Sequence, residues 1–110
     1  MSDAEKQVQT VVDILGGRIP IVYFIRCNEY VKIGTSQVNF MDRLSTLQIG
    51  NPYKLTLEYF ILGSYQEEKE LHYLLKEHKV PGHGEWFKIS KEEAIAATKK
   101  LYGRNSGTDK

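Results

Sequence analysis

The chain has 110 residues, the size of one compact domain, and that length buries a core without disulfide or metal staples. A net charge of +1, with 26% charged and 41% hydrophobic residues, is that of an ordinary globular protein and lacks the basic excess of a dedicated nucleic-acid binder. A single cysteine, Cys27, excludes an intramolecular disulfide, no run approaches the ~18 apolar residues of a membrane span, and MSDAEKQ lacks the basic start and apolar run of a signal peptide, so a cytoplasmic protein is expected.

In chain order, residues 3–15 carry Val8, Val11, Val12 and Leu15 at helical spacing, with Asp3 as a candidate cap and Gly16-Gly17 as a stop. IPIVYFIR is apolar and β-branched and reads as a strand; Asn28-Glu29 is a two-residue turn, since Asn tolerates positive φ; YVKIG returns as the second strand. Ser36 or Asn39 caps the next helix, whose Phe40, Leu44 and Leu47 form a core stripe ended by Gly50-Asn51-Pro52. LTLEYFILG is the third strand. QEEKELHYLLKEHKV is a helix with Leu71, Leu74 and Leu75 inward, PGHG a loop and EWFKI a short apolar return. SKEEAIAATKKLY is the last helix, with Ser90 and Glu93 matching a capping box, and GRNSGTDK is an expected disordered tail. The fold class is α+β, a small three-stranded antiparallel sheet flanked by helices. The expected division is an N-terminal helical extension at 1–19, a domain at 20–102 and a tail at 103–110.

With Asn28-Glu29 as the turn, Tyr23 pairs with Gly34, Ile25 with Lys32 and Phe24 with Ile33. Val22, Phe24, Val31 and Ile33 form the core face. Tyr23, Ile25, Tyr30 and Lys32 share the other, with Tyr23 and Lys32 as diagonal neighbours and Gly34 leaving space over the phenol. On the hairpin alone, Tyr23 is an ordinary strand residue and Lys32 a cation snorkelling over an exposed face.

Five stretches in order, VYFI, VKIG, RLSTLQIGNP, EKELH and GEWF, cover about residues 20–89. Together they resemble the GIY-YIG nuclease superfamily, and most closely its small phage and bacterial branch with KIG in place of YIG and a closing GEWF. The resemblance implies a three-stranded sheet with flanking helices and metal-dependent cleavage of DNA. It implies that Tyr23 is the tyrosine of the first motif, Lys32 stands in for the tyrosine of the second, Arg43 is the arginine of the first inserted helix, Glu68 is the metal-binding glutamate and His72 the histidine that follows it. Glu85-Trp86 matches the closing motif without an assigned role. Lys32 in place of a phenol serves phosphate binding or marks a module that binds DNA without cutting it.

Phosphodiester hydrolysis needs a cationic or metal clamp and an activated water. Mg²⁺, or Mn²⁺ in its place, often uses one or two protein carboxylates, so Glu68 suffices in principle; the bland alternative is a solvated glutamate among Glu67, Glu68 and Glu70. His72, one turn on, is a proton shuttle, a phosphate contact, or merely an i, i+4 partner of Glu68. His72, His78, His83 and Cys27 form no recognised zinc spacing. Arg43 interrupts the apolar positions of its helix and suits a phosphate grip; its alternative is a solvent-facing residue paired with Asp42 or Glu58. A free phenol is a poor base at neutral pH, so Tyr23 is expected to touch the nucleophilic water, with Lys32 tuning it or binding phosphate. Trp86-Phe87 closes the core, base stacking being the second option.

The expected function is a metal-dependent endonuclease acting on DNA, the alternative a DNA-binding or regulatory module on the same scaffold with weak or no cleavage. The oligomeric state is left open, a homodimer among the options. The nuclease reading requires Tyr23, Lys32, Arg43 and Glu68 to open onto one concavity, with the groups at 43 and 68 on the same side of the sheet as the phenol.

Overall fold

The structure, a computed structural model, describes residues 1–16, 19–37 and 39–106. Gly17 of the expected helix stop and residues 107–110 of the expected tail lie outside the described residues. The elements run α1 (Asp3–Leu15), β1 (Ile21–Cys27), β2 (Tyr30–Ser36), α2 (Phe40–Gln48), β3 (Thr56–Leu62), α3 (Tyr65–Leu74), a 3₁₀ turn (Lys76–His78), β4 (Trp86–Phe87) and α4 (Lys91–Ser106). All strands are antiparallel, in the order β3-β1-β2-β4. The sheet thus has four strands, not three, because the short return at Trp86–Phe87 pairs with Lys32 and Val31.

The β1–β2 hairpin has the register expected from the sequence, Tyr23 opposite Gly34 and Ile25 opposite Lys32. Asn28 supplies the positive φ of 56° that closes the two-residue turn. Asn39, not Ser36, caps α2 through its side-chain oxygen and the Met41 N–H. Ser2 rather than Asp3 caps α1, in a reciprocal box with Glu5, and Gly16 ends that helix at φ 89°. The Ser90–Glu93 box holds the start of α4. That helix runs on to Ser106, so the boundary expected at residue 102 falls inside it. The α-helical part of α3 stops at Leu74, short of the expected Val80. Residues 79 and 80 turn extended to bond β4, with Val80 N–H donating to Trp86 O.

Both faces of the sheet are buried, which corrects the expectation of one core face and one exposed face. Val22, Phe24, Ile33, Leu71, Phe87 and Leu101 fill the side covered by α3 and α4. Ile21, Tyr23, Ile25, Phe40, Leu44 and Val8 fill the side covered by α1 and α2. β1 is apolar from Ile21 to Ile25 without alternation, as befits a central strand packed on both sides. Opposite it the outer edge of β3 is closed by α1. The Glu5 carboxylate accepts from Leu57 N–H at 2.9 Å, and the Ser2 hydroxyl donates to Leu57 O at 2.7 Å. No helix among the described residues is long and apolar enough to cross a membrane.

Glu5→Ala leaves the buried Leu57 N–H unpaired and is expected to cost about 1–3 kcal/mol, whereas Glu5→Gln keeps an acceptor oxygen and costs less. Urea unfolding midpoints at unchanged slope measure both.

Candidate active site

Tyr23 sits in the middle of β1, only 1% exposed, its ring 5.4 Å from that of Phe40 on α2. The phenol leans across Gly34: a Cβ at position 34 would lie 2.5 Å from the Tyr23 hydroxyl and 2.7 Å from its Cζ. The sequence reading held that Gly34 leaves space over the phenol for a further group. That space is taken by the phenol itself, and not by an open site. The Tyr23 hydroxyl has no hydrogen-bond partner among the described residues, an uncommon state for a group so deeply buried.

Two residues back along β2 on the same face, Lys32 is not a free snorkelling cation. Its Nζ lies 2.9 Å from Glu85 Oε1 and 5.9 Å from the centroid of the Trp86 ring. The closing motif thereby acquires its roles. Glu85 is the counter-ion of Lys32, Trp86 the platform under it, and Phe87 a fully buried core residue.

The three glutamates at the start of α3 are divided by the fold. The Glu67 carboxylate turns back to accept from the Ser64 N–H and hydroxyl, and those bonds hold its pKa below the ordinary glutamate value. Glu68 points inward and is 6% exposed, so it is not the solvated residue of the bland reading. Burial, and then repulsion from Glu85, raise its pKa; His72, a hydrogen bond from Thr35 and the charge of Lys32 oppose the rise. His72 Nε2 lies 3.0 Å from Ile33 O and 3.6 Å from Glu68 Oε2. A carbonyl only accepts, so Nε2 carries the hydrogen and is not a metal ligand. The imidazole also packs edge-on against Phe87, with centroids 4.9 Å apart. These contacts make His72 a buttress that fixes the Glu68 side chain.

Arg43 is exposed on α2, one turn beyond Phe40. Its side chain has no ion-pair or hydrogen-bond partner among the described residues. Glu58, one of the two partners expected for it, is instead held bidentately by Arg26, which also donates to Ile89 O.

The one-sided concavity required by the sequence reading is not what the fold builds. Tyr23 and Lys32 belong to the face covered by α1 and α2, whereas Glu68 rises from α3 on the other face. The Glu68 carboxylate interacts with Lys32 and Glu85 at the margin of β2, because β4 pairs only as far as Lys32. The structure therefore brings Lys32, Glu68, His72, Glu85 and Thr35 together, sets Tyr23 beside them under Phe40, and leaves Arg43 unconnected to the cluster. Thr35 and the pairing role of Glu85 were missed from sequence; the GEWF string marked Glu85, but only the β2–β4 register gives its partner.

Gly34→Ala forces the phenol aside and is expected to lower stability by about 1–3 kcal/mol, read from urea unfolding. Glu68 has the opposite sign. The folded state holds its proton more tightly than the unfolded chain, so its contribution to stability falls as pH rises from the ordinary glutamate range through the raised value. Glu68→Gln is expected to melt no lower than the parent at pH 7 and to flatten that part of the pH–stability curve. A drop of several degrees would make Glu68 a structural ion-pair member instead.

No curated protein and no solved structure matches the chain at a significant level. Residues 20–101, beginning just before β1 and ending inside α4, match the T5orf172 domain. With well over half its length in that match, this chain belongs to the T5orf172 domain family.

Proposed function

We propose that this chain is a metal-dependent endonuclease that hydrolyses DNA phosphodiester bonds on a GIY-YIG-type scaffold, with its charged groups meeting around the margin of β2 and not in the one-sided concavity that the sequence reading required. The observation that carries the proposal is the buried Glu68 carboxylate, held by His72 and Thr35 beside Lys32 and Glu85. A desolvated acid next to a second acid is an unfavourable arrangement in isolation, and it is the kind that active sites retain. The membership in the T5orf172 family and the order of the five sequence stretches support the same reading.

The donor set fits a hard divalent cation. Glu68 and Glu85 offer carboxylate oxygens, His72 Nε2 is occupied as a donor, and no group of three or more ligating side chains exists among the described residues. That suits Mg²⁺ or Mn²⁺, which keep several waters, better than zinc. When bound, such an ion supplies charge neutralisation at the scissile phosphate and activation of water. Lys32, released from Glu85, binds a phosphate oxygen. The Tyr23 hydroxyl, expected from the sequence to touch the attacking water, is buried with its ring over Gly34, and its part is to seat the stretch of β2 that carries Lys32. The unpartnered Arg43 grips the phosphate backbone from the rim of α2 and opposes charge growing in the transition state. Nε2 of His72 is committed to Ile33 O, so any proton exchange through this ring runs through Nδ1.

A DNA-binding module without cleavage is the second reading. It is favoured by the Lys32–Glu85 pair, which neutralises the cation at the second motif, by the burial of Tyr23 and by the absence of a link between Arg43 and the Glu68 cluster. Supercoiled plasmid incubated with the protein and Mg²⁺ or Mn²⁺ separates the two. The nuclease is expected to nick it, to stop with chelator and with Glu68→Ala, and to slow about a hundredfold with Arg43→Ala. A gel shift without nicking under every metal would leave the binding module.

A further inference from the structure

A cleft of about 320 Å³ opens at the turn end of the β1–β2 hairpin, beside Lys32 at the border of the Glu68 cluster, and none of the described residues that line it belongs to that cluster. Three of its walls are aromatic: Tyr30, Tyr53 and Trp86. Tyr30 and Tyr53 are 38% and 57% exposed, so their rings are presented to solvent and not spent on the core. Tyr53 is on a fixed loop, its N–H donating to Asn51 Oδ1 and its carbonyl accepting from Gln48 Nε2. Asn51 and His83 also line the cleft, and neither the Asn51 amide N–H₂ nor the His83 ring has a hydrogen-bond partner among the described residues. No acidic side chain is among the described residues that line it, and the exposed Lys54 and Lys79 flank Tyr53 and Val80 in the chain.

Flat aromatic walls with an amide and an imidazole at the edge are the chemistry that receives a nucleobase, by stacking on its face and hydrogen bonding to its rim. The strand register adds the reason for this location. Gly34, Lys32 and Tyr30 are alternate residues of β2 on one face, about 7 Å apart from step to step. A phosphate bound at Lys32 therefore lies one step from the ring of Tyr30, and Trp86, which carries Lys32 over its face, is also a wall of the cleft. We propose that this cleft takes one unstacked base of the nucleic acid strand whose phosphate Lys32 binds. The preferred substrate is then DNA with an unpaired or displaced base, not a fully paired duplex. This rests on the proposed action on DNA.

Trp86 is the sole tryptophan of the chain, so its fluorescence reports on the cleft directly. Binding is measured in chelator, where no cleavage intervenes, with a fully paired duplex and with the same duplex carrying one unpaired base. The unpaired base is expected to quench Trp86 and to bind about tenfold more tightly, a preference that Tyr53→Ala abolishes, as stacking of one base would require. Lys32→Ala is expected to weaken both DNAs equally. Equal affinity for the two DNAs, with Tyr53→Ala and Tyr30→Ala changing neither, would overturn the cleft and leave the action on DNA standing. No binding of either DNA would overturn both. Tyr53 is exposed, and its replacement leaves the fold intact as read by the urea midpoint.

Discussion

Because β4 pairs with β2 only at Val31 and Lys32, the edge of β2 past that point is left to side chains and loops. Ile33 donates its N–H to Glu85 O and accepts at its carbonyl from His72. Thr35, one residue beyond Gly34, reaches Glu68. A longer β4 would have covered this margin with backbone and kept the two faces of the sheet apart. The short one lets a lysine from one face and a glutamate from the other act on each other around the edge. The meeting of Lys32, Glu68 and Glu85 depends on that gap in the ladder.

The groups gathered there are in tension. Glu68 and Glu85 repel, burial disfavours the charge on Glu68, and Lys32 attracts both without satisfying either completely. Such a set is a poor way to stabilise a fold, since well-packed apolar residues do as well without the desolvation cost. Arg26 and Glu58 show the contrasting arrangement elsewhere in the sheet. Their bidentate pair, completed by Ile89 O, satisfies its charges and ties β1, β3 and the lead-in to α4 together.

What the sequence made legible was local. A turn with Asn at positive φ and flanking β-branched runs set the hairpin register residue by residue, and short polar caps marked the starts of α2 and α4, though not those of α1 and α3. The rest depended on contacts between segments distant in the chain. Nothing in EWFKI alone says which strand it joins, so the fourth strand and the pairing of Glu85 were hidden. Glu67 and Glu68 are indistinguishable by composition; only the turn at Ser64 commits one to capping and sends the other inward. The second buried face was missed because Tyr23 was weighed for its hydroxyl, while its ring belongs to an unbroken apolar run. The placement of Glu68 on the side opposite Tyr23 followed from which face α3 covers, which helical periodicity does not encode.

The contact of α1 with β3 reaches beyond this helix. β3 is the outermost strand on its side of the sheet, and the backbone of Leu57 is occupied by Ser2 and Glu5. The family match starts at residue 20 and leaves those two residues outside. A fragment cut at that boundary would offer a bare strand flank to its neighbours, the usual starting point for sheet-to-sheet aggregation. The N-terminal segment is in this sense a guard against self-adhesion, and a chain trimmed to its family borders would lose solubility before it lost any group of the Glu68 cluster.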